Sequence, residues 1–560
     1  MIMSLYSKHY QTRQTAQTEP IPGSSQVENS AGGFSFPVDD WVRLDRFLVL
    51  GSEGGSYYAS EKKLTVENAK SVQACIDADG TRTVARIVEI SKNGRAPKND
   101  PAVFCLAMAA AAKQVSTRQA ALAALPDVCR IGTHLFQFLA CVEKFRGHGR
   151  ALNRALRDWY LKKEPKYLAY QAVKYQQRGG WSHRDVLRLC KPRGKTTAPD
   201  MNAIFHWIAK GPAEGAVTEI VEPIPSLRLI WAMERAKHVA SKGEIVKLIT
   251  DHKLVRECIP TQWLNEPEVW EALLQEMPMT AMVRNLATMT RVGLLAPMSL
   301  AASRVMAKLS DNTVLTKSRI HPIAILAALK TYQAGRGVRG SHTWEPVSQI
   351  VDALDGAFYL TFKNVEKTGL RWELALDVSS SMTCGAVAGV PGLTPRVASV
   401  ALAMVTAAVE PQYLLSAFAK QYSRLNLSPK QRLDDICKTI DGMHFGGTDC
   451  ALPMQDALAC KRPIDVFVVL TDSETWAGGQ HPVQALQEYR QKMGIPAKLV
   501  VCCMVSNGFS IADPNDGGML DVVGFDVSTP NIMCDFARGG SAAASESTLP
   551  PGFPDENDLQ

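Results

Sequence analysis

The spacing of apolar residues changes character once along this chain, near Gly369, and that change limits the fold more than any other feature. From about 62 to 360 the apolar residues recur every three or four positions, in runs of about ten to fifteen broken by short polar or Pro/Gly punctuation, and almost nothing alternates with period two. So many helices without strands imply a bundle or a solenoid of stacked helix pairs. After Gly369 short apolar, β-branched runs at 372–376, 413–418, 466–470 and 499–505 alternate with helical spacing at 397–409, 430–440 and 450–459. That alternation predicts a doubly wound α/β domain, a parallel sheet covered on both faces, with ligands at the carboxyl ends of its strands. The expected division is a flexible polar tail over 1–36, an all-α domain over 37–365, an α/β domain over 366–540 and a disordered acidic tail over 541–560. A Gly-rich loop at 51–58 should precede the helices.

At 560 residues the chain exceeds what one core supports, which agrees with two domains. The longest apolar run, 102–112, is too short for a bilayer span and reads as a buried helix. The first residues turn polar at once without the apolar stretch of a secretory signal, so a cytoplasmic, membrane-free protein is expected. Thirteen scattered cysteines with no C-x-x-C pair read as reduced thiols. Charge matters once it is divided. Residues 361–560 hold 15 Lys+Arg and 22 Asp+Glu, a net of −7, so the net of +7 for the whole leaves +14 on residues 1–360. A basic domain joined to an acidic one suggests a polyanion for the first and a cation for the second.

The first strand of the α/β domain ends in Asp377, with Ser379 and Ser381 at alternate positions of the following loop. The strand at 466–470 runs into Thr471 and Asp472, and Gly446, Gly447, Thr448 and Asp449 occupy a loop before a helix. Oxygen donors from three loops at one sheet edge suit a hard octahedral cation such as Mg2+. A Ser-rich turn without metal is the plainer alternative. Catalysis is disfavoured because a two-metal nuclease needs several converging carboxylates, and only Asp449 and Glu474 lie near in sequence. The D-x-S-x-S loop, the G-G-T loop and the strand-terminal T-D, in that order, resemble the metal-ion-dependent adhesion site of von Willebrand factor A domains. The resemblance implies that Asp377, Ser379, Ser381, Thr448 and Asp472 ligate the ion.

In the basic region, Leu152, Leu156 and Trp159 fall within about 60° of one another on a helical wheel, and Arg150, Arg154 and Arg157 lie on the opposite side. Lys174 and Arg178 sit one turn apart further on. Ser182 then reads as an N-cap with Asp185 completing a capping box, ahead of Arg184 and Arg188. That cap is expected to leave His183 exposed in the first turn, where a phosphate or an unpaired base could meet it. A charged helix face is more often simply solvated.

The stretches VCRIGTHLF at 128–136, RALRDWY at 154–160, KYQQRGGWSH at 174–183, ALLQEMP at 272–278, RIHP at 319–322, GGTDC at 446–450 and SNGFSIADP at 506–514 resemble the Ro ribonucleoproteins, which join a TROVE domain to a von Willebrand factor A domain. The resemblance runs from about 50 to 538 and points to a bacterial-type member. It implies a monomeric ring of HEAT-like helical repeats closed by the A domain, and a non-catalytic scaffold in RNA quality control or processing. It implies further that a small structured Y RNA binds the basic outer surface and that single-stranded ends of misfolded RNA enter the hole. Polynucleotide phosphorylase is an implied partner. His183, Arg150, Arg154, Arg157, Lys174, Arg178, Arg184 and Arg188 become the expected RNA contacts. The departures are the two tails and Gln176, where a lysine is expected. A different reading is an adhesion or assembly adaptor whose ion binds a protein carboxylate.

Overall fold

Local sequence explains where the helices start and stop. In the computed structural model, which describes residues 14–539 apart from 51–68, 97, 193–197, 213–224, 338–341, 363–366, 386, 388–391, 444–445, 506 and 524–528, helices follow one another from Asp40 to Leu360. Proline occupies the first turn of Asp100–Ala110, Pro165–Lys174, Pro199–Lys210, Pro267–Gln275 and Pro322–Gln333, where its fixed φ suits the helix and its missing N–H costs nothing. The 102–112 run forms most of Asp100–Ala110, whose residues after the first are all buried. Helix Asp40–Leu50 begins earlier than periodicity suggested. The loop expected at 51–58 lies outside the described residues, as does the acidic tail from 541.

The helices form an all-α HEAT-like repeat ring, and its closure is visible in four contacts between parts distant in sequence. His321 accepts at Nδ1 from the N–H of Ile323, so its Nε2–H donates to the carbonyl of Arg95, 3.2 Å away. Arg46, on the first helix, is ion-paired with Asp521 of the α/β domain, its Nη2 donating to Oδ1 and Oδ2 at 2.7 and 2.9 Å. From the far end of the array Gln333 reaches Asp434 at 3.2 Å, and Asp352 pairs with Arg432. Both ends of the array therefore rest on the α/β domain.

Among the described residues the main sheet of that domain has six strands, β1 (Arg371–Asp377), β2 (Gln412–Phe418), β3 (Tyr422–Leu425), β4 (Val466–Thr471), β5 (Lys498–Cys503) and β6 (Met519–Val523). Their spatial order is β6-β5-β4-β1-β2-β3, parallel except for β3. Side chains alternate between two cores, as period two requires. Trp372, Leu374, Leu376, Val466, Val468, Leu470, Val500 and Cys502 join a cluster shared with helices Pro395–Val409, Leu433–Asp441 and Thr529–Arg538 and continuous with the helical array. Ala375, Phe467, Val469, Leu499 and Val501 face the other way, toward helices Leu452–Ala459 and Pro482–Met493. Both faces being apolar is what a covered parallel sheet demands. Strand order reverses between β1 and β4, so the topological switch point opens at their carboxyl ends.

The flexible tail expected over 1–36 is corrected for residues 14–36. Strands Val27–Glu28 and Phe34–Pro37 pair with each other, and the second also pairs with Phe509–Ser510. Ile21 and Phe36, 3% and 1% exposed, enter the second core of the sheet. Two apolar anchors and strand pairing dock an otherwise polar sequence.

Candidate metal centre and nucleic-acid interface

The switch point brings together the oxygen-bearing residues expected there. β1 and β4 are adjacent and parallel, which sets Asp377 beside Thr471, and the Thr471 hydroxyl donates to Asp377 Oδ2 at 2.6 Å. The N–H of Ser379 donates to Asp377 Oδ1 at 2.9 Å, and the Ser379 and Ser381 hydroxyls lie 2.9 Å apart. Asp472 Oδ1 accepts from the N–H of Glu474 at 3.1 Å, and the Ser381 hydroxyl faces the same carboxyl group. Asp472 Oδ2 is buried without a hydrogen bond. Thr448 is 1% exposed, and its carbonyl accepts from the N–H groups of Trp476 and Ala477, joining its loop to the one after β4.

Electrostatically the site is short of positive charge. Burial, and then the neighbouring Asp377 carboxylate, push Asp472 well above the usual carboxylate range; burial also raises Asp377. Arg396, 6% exposed, partly offsets this while donating to the carbonyls of Val378 and Ser379 at 2.8 and 3.0 Å. Two buried acids and three hydroxyls form an all-oxygen donor set, and Asp472 Oδ2, which accepts no hydrogen bond, is open to a further partner such as a hard cation. Among the described residues no three carboxylates, imidazoles or thiols converge to hold a metal, at this site or at any other, so the donors here are two acids supplemented by hydroxyls. The positioning roles of Thr471, Arg396 and Asn507, whose Nδ2 donates to the Asp472 carbonyl, are not legible in the sequence. Thr471 stands in the T-D pair and Asn507 in the quoted SNGFSIADP stretch; nothing in the sequence marks Arg396.

The basic face builds as its periodicity predicts. In helix Arg150–Leu161, Leu152, Leu156, Trp159 and Tyr160 are buried, and Arg150, Arg154 and Arg157 are exposed. The 177–182 segment forms a small hairpin, Gln177–Arg178 against Trp181–Ser182, on which Arg178 is exposed. Arg184 and Arg188 project from helix His183–Cys190, whose capping box is present: Ser182 Oγ accepts from the Asp185 N–H, and Asp185 Oδ2 accepts from the Ser182 N–H. Arg150, Arg154, Arg178 and Arg184 have no carboxylate partner among the described residues, whereas Arg188 pairs with Asp185 at 3.6 Å and Arg157 Nε donates to the Cys190 carbonyl. Lys174 is half-buried, its Nζ 2.7 Å from the Tyr170 hydroxyl.

His183 corrects the expectation of an exposed imidazole. It is 3% exposed, its Nδ1 lies 2.7 Å from the Tyr160 hydroxyl, and the rings of Phe136, Trp159 and Tyr160 surround it. Burial pulls its pKa down to about 4, against the opposing pull of the Gln171 and Tyr175 carbonyls. Gly132 makes the room, since a Cβ there would come within 2.9 Å of His183 Nε2. A side chain at the first helical position points back over the preceding turn, here into the groove under Tyr160. In this conformation it cannot stack on a base; it anchors the helix that presents Arg184 and Arg188.

A helical-repeat ring closed by an A-type domain defines a two-part class, and comparison with known proteins gives the family. Residues 27–331 match the family model described as the TROVE domain and residues 371–537 that of the Ro60 vWA domain. The chain belongs to the Ro60 family. It is 42% identical over 525 residues to a protein of Deinococcus radiodurans named RNA-binding protein RO60, covering 93% of this chain and 97% of that one. It is 36% identical over 584 residues to the RNA-binding protein RO60 of Caenorhabditis elegans, covering 92% and 90%. The crystal structure of the Deinococcus radiodurans RO (RSR) protein superposes with a TM-score of 0.69 at 41% identity, covering 90% of this chain and all of that one.

Proposed function

We propose that this protein is a non-catalytic RNA-binding scaffold of the cytoplasm. Its basic helical face binds a small structured Y-type RNA, and the ring admits single-stranded ends of misfolded RNA. The observation that carries the reading is the group of exposed guanidinium groups, Arg150, Arg154, Arg178 and Arg184, unpaired with carboxylates among the described residues, Arg150, Arg154 and Arg184 on helices with buried apolar backs and Arg178 on the hairpin between them. Cations held in that way exchange condensed counterions for phosphates, the main source of affinity for RNA. The relatives named RNA-binding proteins support the same reading. A monomeric ring, RNA quality control and work beside polynucleotide phosphorylase rest on the family resemblance. No helix among the described residues is long and apolar enough to cross a membrane.

The second element of the proposal is a divalent cation, Mg2+ by its donor chemistry, held by Asp377, Ser379, Ser381, Thr448 and Asp472. When bound it would neutralise the two acids and offer a position to a partner's carboxylate. The chain's own part is to fix the donors, through Thr471 on Asp377, Asn507 on the Asp472 carbonyl and Arg396 beneath the first loop.

The test is to purify the full chain, read its absorbance ratio for bound nucleic acid, and sequence what copurifies. A small structured non-coding RNA is expected, intact after incubation with Mg2+. Protein that carries no RNA and does not bind such a hairpin would turn the reading toward an A-domain adaptor; cleavage of labelled RNA would turn it toward a nuclease.

A further inference from the structure

The segment ahead of the first helix, polar enough to read as a linker, lies on the loops that hold the candidate metal ligands. The Gln17 N–H donates to the Gly478 carbonyl at 2.9 Å, and its Nε2 donates to Asp449 Oδ1 at 2.7 Å and to the Gln480 carbonyl at 2.8 Å. Gln17 Oε1 accepts from the Thr475 hydroxyl. Asn29 Nδ2 donates to the Thr475 carbonyl at 2.9 Å, and Ser35 Oγ donates to the Ser473 carbonyl at 3.1 Å. The N–H groups of Ser30 and Ala31 and the Ser30 hydroxyl face the Glu474 carboxylate. The residues that directly follow Asp472 and Thr448 are thus tied down from outside their own domain.

The same segment continues into the ring. Strand Phe34–Pro37 pairs with Phe509–Ser510, and only two residues separate it from helix Asp40–Leu50. From that helix Arg46, fully buried, donates through Nη1 to the Asn507 carbonyl at 2.6 Å and to Asn507 Oδ1 at 3.0 Å, while Nη2 grips Asp521. Asn507 donates in turn to the carbonyl of Asp472. One unbroken run of hydrogen bonds therefore joins a candidate metal ligand to the helix that begins the ring.

We propose that residues 14–37 act as a strap coupling the metal site to ring closure, so that cation binding and docking of the strap with helix Asp40–Leu50 stabilise each other. Mg2+ demands near-ideal octahedral geometry, and the strap supplies it by fixing the loops after Thr448 and Asp472. Conversely, an ion linking the loops after β1 and β4 firms the surface on which the strap docks. Two ligands that prefer one state must help each other by the same factor. This inference rests on the metal reading above.

Gly33 gives a clean handle, because a Cβ there would lie 2.0 Å from the Thr475 carbonyl oxygen without touching a candidate ligand. The experiment is calorimetric titration of the full chain with MgCl2, alongside hydrogen exchange over 27–50 with and without the ion. Wild type should bind, and the ion should slow exchange there. Gly33→Ala should bind about 5- to 150-fold more weakly, the usual range of coupling between sites, and the protection by the ion should shrink by the same factor. Gln17→Ala removes strap bonds without steric intrusion and keeps the test usable if Gly33→Ala does not fold. Variants with fast-exchanging straps and wild-type Mg2+ affinity would overturn the coupling alone. A wild type that binds no divalent cation would overturn the metal reading and the coupling with it.

Discussion

His183 shows what one residue's environment decides. The capping box around it is legible because Ser182 and Asp185 act within one turn. Its burial is not, because that depends on Gly132 and Tyr160 arriving from two other helices. The physical consequence is a neutral buried imidazole. Its folded pKa, about 4, lies below the ordinary 6.5, so its contribution to stability is complete above pH 6.5 and is lost as pH falls toward 4. His134, likewise pulled down to about 4 by burial, adds to the same window. Each would contribute a loss of about 2–3 kcal/mol across it. Urea melts from pH 7.5 to 4.5 should show that decline, shallower in His183→Gln; identical slopes would place the titrating groups elsewhere. At the metal site the raised Asp472 works with the opposite sign. A proton competes with the cation as pH falls, so Mg2+ should bind more tightly at pH 8 than at pH 6, a difference that calorimetry would read and that equal affinities would refute.

At the scale of elements, legibility followed length and apolar periodicity. The four central strands and helix Arg150–Leu161 announce themselves because burial on two faces or one stripe imposes a pattern. Edge strand β3, the 177–182 hairpin and the 27–37 strands are too short to carry one, and their places come from partners far along the chain. Helix Pro482–Met493 carries local end signals, a proline in its first turn and Gly494 in the left-handed region after its last, and these mark it where the strand–helix alternation expected from apolar spacing does not include it. The cap of helix His183–Cys190 offers a test at this scale. Ser182→Ala should cost about 1 kcal/mol in a denaturant melt and loosen the arginines the helix presents. A variant as stable as wild type would mean that packing of His183 alone holds the helix start.

Across the whole molecule, charge and closure combine. The helical array carries the positive excess and the α/β domain the negative, and both ends of the array are fastened to that domain through Arg46, Gln333 and Asp352. Closure of that kind predicts that limited proteolysis trims only the chain ends; release of a stable fragment starting near Gly369 would contradict a single closed body. The claim that the exposed arginine face is an RNA surface is tested most directly by its salt dependence. Each neutralised phosphate contributes a log–log slope of about −0.7 to −0.9, so replacing Arg150 and Arg154 together by alanine should flatten the slope by roughly one to two. The decisive measurement is the affinity of wild type and that double variant for one small structured RNA across a series of salt concentrations. The account predicts weaker binding with the flatter slope, and two superimposable lines would contradict it.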